Sequence, residues 1–180
     1  MNLIDEHNKK YNFFREITGE AMLVHRKFKP GLLESAYSAA LRFLLKEKGH
    51  KVEKQVLIPM YWEDTKLDEY YRIDLLVNNN IILELKATKQ VISEHRHQLM
   101  NYMRLTHITY GMLINFGMSS LYSEWYELDT KTNMIEKITL MSNIILATKE
   151  LLILVRSTNF NFRALRLFNF HSARSGLKIL

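Results

Sequence analysis

Asp74 in the segment YRIDLLV, with Glu84 and Lys86 in IILELKA, are the residues whose types and spacing could do chemistry. Both segments have strand character, and Asn78-Asn79-Asn80 between them is a strong turn signal. Alternation puts Tyr71, Ile73, Leu75 and Val77 on one face of the first strand, and Arg72, Asp74 and Leu76 on the other. In the second strand Ile82, Glu84 and Lys86 share a face. If the three asparagines are the loop, Asp74 lies across from Glu84 with Cβ atoms ~4.5–5.5 Å apart, where like charges repel. Apolar neighbours make an unpaired carboxylate more costly still. A divalent cation held between the acids removes both costs, and hard cations take oxygen ligands. Lys86 projects beside them, where an ammonium can hold a phosphate or an attacking water. The same pattern also fits a hairpin face on which Arg72 and Lys86 merely neutralise two solvated acids.

Glu34 bears on that choice. Its helical stripe contains Tyr37, Ser38 and Leu41, the apolar side that should pack on a sheet. A glutamate there either meets a cation or strains the core, although acids are also favoured in a first helical turn. Gln98 and Tyr102 stand four apart and stack on one face of a later helix, a pairing that is weak when taken alone. His95 and His97 diverge on that helix and make poor metal ligands, while His25 reads as a packing residue and not a base.

The elements that must position these side chains follow from periodicity. Residues Asp5 to Arg26 read as a helix, broken by Lys29-Pro30-Gly31, and a second helix runs from about Leu32 to Lys48 and stops at Gly49. Val52 to Ile58 is a strand, and Pro59 to Glu69 is a polar hairpin or loop. Tyr71 to Val77 and Ile81 to Ala87 are strands, Ser93 caps a helix reaching Thr106, and Thr109 to Phe116 is an apolar strand. Leu121 to Leu128 is strand-like, and Ile135 to Val155 reads as strand then helix. The order predicts an α/β sandwich with a mixed sheet.

Bulk composition sets limits. Apolar residues make up 47% of 180, enough for one core, and the absence of cysteine excludes disulfides, thiolate metal sites and cysteine nucleophiles. No apolar leader opens the chain, and Ile138 to Val155 falls short of the ~20 apolar residues of a membrane span. The expectation is a cytoplasmic protein that does not use a membrane. The net charge of +6 suits a polyanion and is concentrated after residue 150, where Arg156, Arg163, Arg166, Arg174 and Lys178 meet no acid. That tail either contacts nucleic acid or docks through Phe160, Phe162, Leu165, Leu167 and Phe168 onto the core or a second subunit, so a homo-oligomer is open.

At these residues the chain resembles the GxxExxY proteins, a bacterial branch of the PD-(D/E)XK nuclease superfamily. GLLESAY matches the naming element, and YRIDLLV, IILELKA, QLMNY and GMLINFG follow in the expected order over roughly residues 10 to 120. The resemblance implies a restriction-endonuclease-like three-layer sandwich, with a central mixed sheet flanked by helices. It implies metal-ligand roles for Glu34, Asp74 and Glu84, with the main-chain carbonyl of Leu85 beside them, and a catalytic role for Lys86. Gln98 and Tyr102 resemble the QxxxY helix motif that supports site and substrate in exonuclease branches. The domain expectation is a nuclease-like unit over residues 1–125, followed by a 126–180 extension of unknown role. Lys29 stands where the family usually has a glycine, which touches a turn and not a ligand.

The implied reaction is phosphodiester hydrolysis in DNA or RNA with Mg²⁺ or Mn²⁺, which an oxygen-only ligand set favours over zinc. The rival is a non-catalytic module that keeps the nuclease fold and binds nucleic acid or protein. The acid-acid-lysine set argues against that rival, because such a costly cluster serves no purpose in binding alone. No helix-turn-helix, zinc-finger or RNA-recognition signature indicates a sequence preference.

Overall fold

The computed structural model describes residues 3–138, with side chains from residue 11 onward. The strand-then-helix expectation beyond Ile138 and both readings of the basic tail fall outside the described residues.

Three helices and six strands make up the described chain. They are α1 (Leu3–Phe28), α2 (Glu34–Glu47), β1 (Val52–Trp62), β2 (Thr65–Val77), β3 (Ile81–Lys86), α3 (Ser93–Thr106), β4 (Tyr110–Asn115), β5 (Tyr122–Asp129) and β6 (Met134–Ile138). The strands form one sheet in the order β1-β2-β3-β4-β5-β6. Only β3 and β4 run parallel, and α3 is the crossover that such a pair requires. The helices flank the sheet in three layers. On one face Phe14, Ile17, Ala21 and Val24 of α1, with Tyr37, Leu41 and Leu45 of α2, cover Leu75, Leu83, Leu85, Met112 and Ile114. On the other, Leu99, Tyr102 and Met103 of α3 cover Leu76, Ile82, Leu113, Tyr126 and Leu128. This is the expected α/β sandwich with a mixed sheet, and β5 and β6 extend it to Ile138. No helix of the described residues is long and apolar enough to cross a membrane.

Local chemistry explains most boundaries. Asn78 and Asn79 adopt left-handed φ of 51° and 56°, which asparagine tolerates, and so close the β2–β3 turn with Val77 opposite Ile81. Gly49, at φ 88°, ends α2 as expected. That helix begins at Glu34 and not at Leu32. Tyr37 Oη donates to the carbonyl of Lys29 at 2.5 Å and accepts from the Leu32 N–H at 3.1 Å, which keeps Leu32 in the preceding loop.

Of the two forms expected for Pro59 to Glu69, the structure takes the hairpin: β1 and β2 pair out to Trp62 and Thr65 around Glu63 and Asp64, with Pro59 tolerated beside a shift in register. Two expectations need correction. Ser93 is the first residue of α3 and not its cap, which is Ile92; the Ser93 hydroxyl bonds to Glu94, and His95 Nδ1 accepts from the Ile92 N–H at 3.4 Å. Alternation also fails inside β2. Leu75 and Val77 pack toward α1 and α2, whereas Ile73 joins Leu76 in the cluster under α3. The break falls at Asp74, flanked by the pairs Lys54–Leu75 and Val56–Ile73, where Gln55 of β1 takes a φ of 54°.

Candidate metal centre

β2 and β3 pair through Val77–Ile81, Leu76–Ile82 and Leu75–Leu83, the register set by the asparagine turn. One step further the main-chain ladder stops and a side chain takes over: Asp74 Oδ2 accepts the Leu85 N–H at 2.9 Å. The N–H and C=O of one strand residue point to the same neighbour, so the Leu85 carbonyl is also turned toward β2. Asp74 Oδ1 accepts from Gln55 Nε2 at 3.4 Å, and Arg72 Nη1 donates to Gln55 Oε1 at 3.3 Å.

Glu84 is 1% exposed. Its Oε1 takes Lys86 Nζ at 2.5 Å, while its Oε2 is buried with no hydrogen-bond partner. Burial raises the Glu84 carboxyl to about 7, with Asp74 adding repulsion and Lys86 opposing it. Burial also raises Asp74, against the lowering effect of the Leu85 N–H and Lys86. Glu34, first residue of α2, is half-buried; burial raises it, Lys86 lowers it and Asp74 raises it. Burial disfavours the Lys86 ammonium, yet the bond to Glu84 and the nearby charges of Glu84, Glu34 and Asp74 hold it above the ordinary lysine value. One ammonium among three carboxylates stays charged, and it cannot neutralise all of them.

The four residues singled out by sequence are therefore electrostatic neighbours. Tyr37, Ser38, Leu41 and Leu45 are the buried stripe of α2, and Glu34 lies at its start, as the helical spacing predicts. Among the described residues, no three acidic or imidazole groups converge into a closed metal cage. Lys86 stands on Glu84 Oε1 instead. The donor set nevertheless fits a hard cation: carboxylate oxygens, a main-chain carbonyl alongside, and a buried carboxylate oxygen with nothing bound to it.

On α3, Gln98 Nε2 donates to Tyr102 Oη at 2.8 Å, which realises the expected pair. Tyr102 is buried; burial raises its phenol, Gln98 lowers it, and the charges of Glu84 and Asp74 raise it. The Tyr71 ring rests 5.7 Å from that of Tyr102.

Sequence reading missed several supports. Asn115, the partner of Lys86 across β3 and β4, is fully buried. It clasps the chain just past the lysine, with Oδ1 accepting from the N–H groups of Thr88 and Gly117 and Nδ2 donating to the Thr88 carbonyl. A polar residue at the end of the apolar run GMLIN was the available signal. Glu124 was also overlooked; it gathers Arg96, Lys137, Tyr122 and Tyr126 around one carboxylate.

No curated protein and no solved structure gave a match. A family model for the PD-(D/E)XK nuclease superfamily matches residues 11–128, the span that carries every residue of this centre, and the chain belongs to that superfamily.

Proposed function

We propose that this chain is a divalent-metal-dependent nuclease of the GxxExxY branch, hydrolysing phosphodiester bonds in DNA or RNA. The observation that carries this reading is Glu84 Oε2, a buried carboxylate oxygen left without a partner beside Asp74 and Lys86. An unsatisfied buried acceptor is costly, and a cation is the ligand that relieves it while also relieving the repulsion from Asp74.

Asp74, Glu84 and Glu34, with the Leu85 carbonyl, would hold Mg²⁺ or Mn²⁺. Such an ion, when bound, polarises the scissile phosphate and makes water a competent nucleophile near neutral pH. Lys86, released from Glu84 Oε1 when that carboxylate holds an ion, would turn its ammonium to the substrate, orient the attacking water and offset charge on the phosphoryl oxygens in the transition state. Gln98 holds the Tyr102 hydroxyl in place, and that pair supports the acids and the strand from the α3 side. Superfamily membership supports the reaction class.

The test is a panel of single- and double-stranded DNA and RNA, with free and blocked ends, incubated with the purified protein and Mg²⁺ or Mn²⁺. Cleavage that chelation abolishes is expected. Silence across the panel, together with retained nucleic-acid binding, would replace the enzyme with a binding module.

A further inference from the structure

We propose that the groove between the end of α1 and the β4–β5 loop binds a phosphate of the nucleic-acid strand, away from the bond being cut. The site stands on its own geometry and rests on the nuclease reading only for the identity of the molecule that carries the phosphate.

Met22, His25, Arg26 and Lys29 fall at helical spacing along the last turns of α1 and just past its end, so they form one wall. The facing wall is Ser119, Ser120 and Leu121, and the space between is about 250 Å³. His25 is 7% exposed, and its Nε2 lies 2.9 Å from the Met118 carbonyl. A carbonyl only accepts, so Nε2 carries the proton and the bond fixes the loop against the helix.

The chemistry of the groove points to an anion. It offers a guanidinium, an ammonium and two hydroxyls, and no carboxylate lines it. Arg26 and Lys29, like several other exposed cations of the described residues, stand on no carboxylate, so both are free to meet an anion in the groove. A helix C-terminus attracts cations by itself, which would account for basic residues here. It does not account for two hydroxyls and no acid on the wall they face. Arginine forks onto phosphate oxygens, lysine adds a point charge, and serine hydroxyls complete the shell.

Both walls connect directly to the acid cluster. The loop follows Asn115 and Phe116, and the Phe116 N–H donates to the Lys86 carbonyl at 2.7 Å. On the other side, the Lys29 carbonyl accepts from Tyr37 of α2, the helix that begins with Glu34. The groove walls are thus continuous with the elements that carry Lys86 and Glu34, and the proposed second phosphate belongs to a strand held at the acids.

The experiment measures binding of a fluorescent single-stranded oligothymidylate to the full chain in the Lys86→Ala background, without Mg²⁺, across a salt series. Arg26→Ala/Lys29→Ala should weaken binding about tenfold at low salt and flatten the slope of log affinity against log salt by about 0.7 per lost contact. Arg26→Lys should keep most of the slope, and Ser119→Ala/Ser120→Ala should weaken binding without changing it. Inorganic phosphate should raise the melting temperature of the parent protein, and the rise should vanish in the double variant. Unchanged affinity and slope in a folded double variant would overturn the proposal. A phosphate effect with no oligonucleotide effect would overturn the assignment to nucleic acid. If the wild-type protein never cleaves while the double variant still loses binding, the nuclease reading falls and the groove stands.

Discussion

Glu84 and Glu124 occupy one row of the sheet, joined through Leu113, which pairs with Glu84 across β3–β4 and with Glu124 across β4–β5. Both are almost fully buried, at 1% and 3% exposed, and both share the face covered by α3. Their surroundings are opposite. Glu124 receives Arg96 Nε at 2.8 Å and Nη2 at 3.2 Å, the hydroxyls of Tyr122 and Tyr126, and Lys137. Burial works against its charge, but these donors win and bring its carboxyl down to about 2. Glu84 has one lysine, two neighbouring acids and an orphan oxygen, and its carboxyl rises to about 7. Equal burial therefore says nothing about role; the tally of donors does. A carboxylate with a complete shell holds a fold together, and one with an incomplete shell beside other acids has, on the proposed reading, room for a cation.

The largest effects should separate the two glutamates by activity. Lys86→Ala should reduce metal-dependent cleavage by about 10²-fold or more while fold and metal binding persist, because in the proposed mechanism the lysine acts on substrate charge and binds no ion. Glu84→Ala should lose both cleavage and metal, measured by turnover and by calorimetric titration with Mn²⁺. Cleavage that persists undiminished in Glu84→Ala would show that the activity belongs elsewhere.

Stability should show the reverse order. Glu124→Ala leaves Tyr126 and two cations without their shared acceptor and should cost about 2–3 kcal/mol in urea unfolding, below the value for a fully buried pair because Arg96 and Lys137 reach solvent. Glu84→Gln should leave the metal-free protein as stable or more so, since it removes a repelled charge. Mg²⁺ at ~100 times its dissociation constant should add roughly 2.7 kcal/mol to the wild type, and Asp74→Asn should lose that gain. An equal response in wild type and variant would break the comparison.

The pH dependence sharpens it. The folded protein holds the Glu84 proton up to about 7 against an ordinary value of 4.5, so folding binds a proton in that window. Metal-free stability should therefore fall as pH rises from about 4.5 through about 7, and Glu84→Gln should flatten that fall. Glu124 has the opposite sign. Its stabilisation is present above its ordinary 4.5 and is lost as pH falls toward about 2. Melting temperatures of wild type, Glu84→Gln and Glu124→Gln from pH 3 to 8 in a chelator check both slopes.

The smallest effect belongs to Gln98. Its amide touches Tyr102 and neither acid directly, so Gln98→Ala should cost only a few-fold in turnover, with metal affinity unchanged. A loss as large as that of Lys86→Ala would promote the amide from support to direct contact with substrate.

Sequence by itself determined what short-range rules govern. Three asparagines that tolerate left-handed backbone set the β2–β3 register, and helical spacing put Glu34 in line with Tyr37 and Leu41, and Gln98 against Tyr102. Only the tertiary structure decided the rest. The break in alternation at Asp74 falls opposite Gln55, nineteen residues away on another strand and at a φ of 54°, and no local period in β2 records it. Glu124 looks like one more polar residue in YSEWYELD, yet its partners come from α3 and β6 as well as its own strand. Whether a buried carboxylate is satisfied depends on donors brought in by the packing of distant elements. For that reason the sequence could name Glu84 but not show that one of its oxygens has no partner.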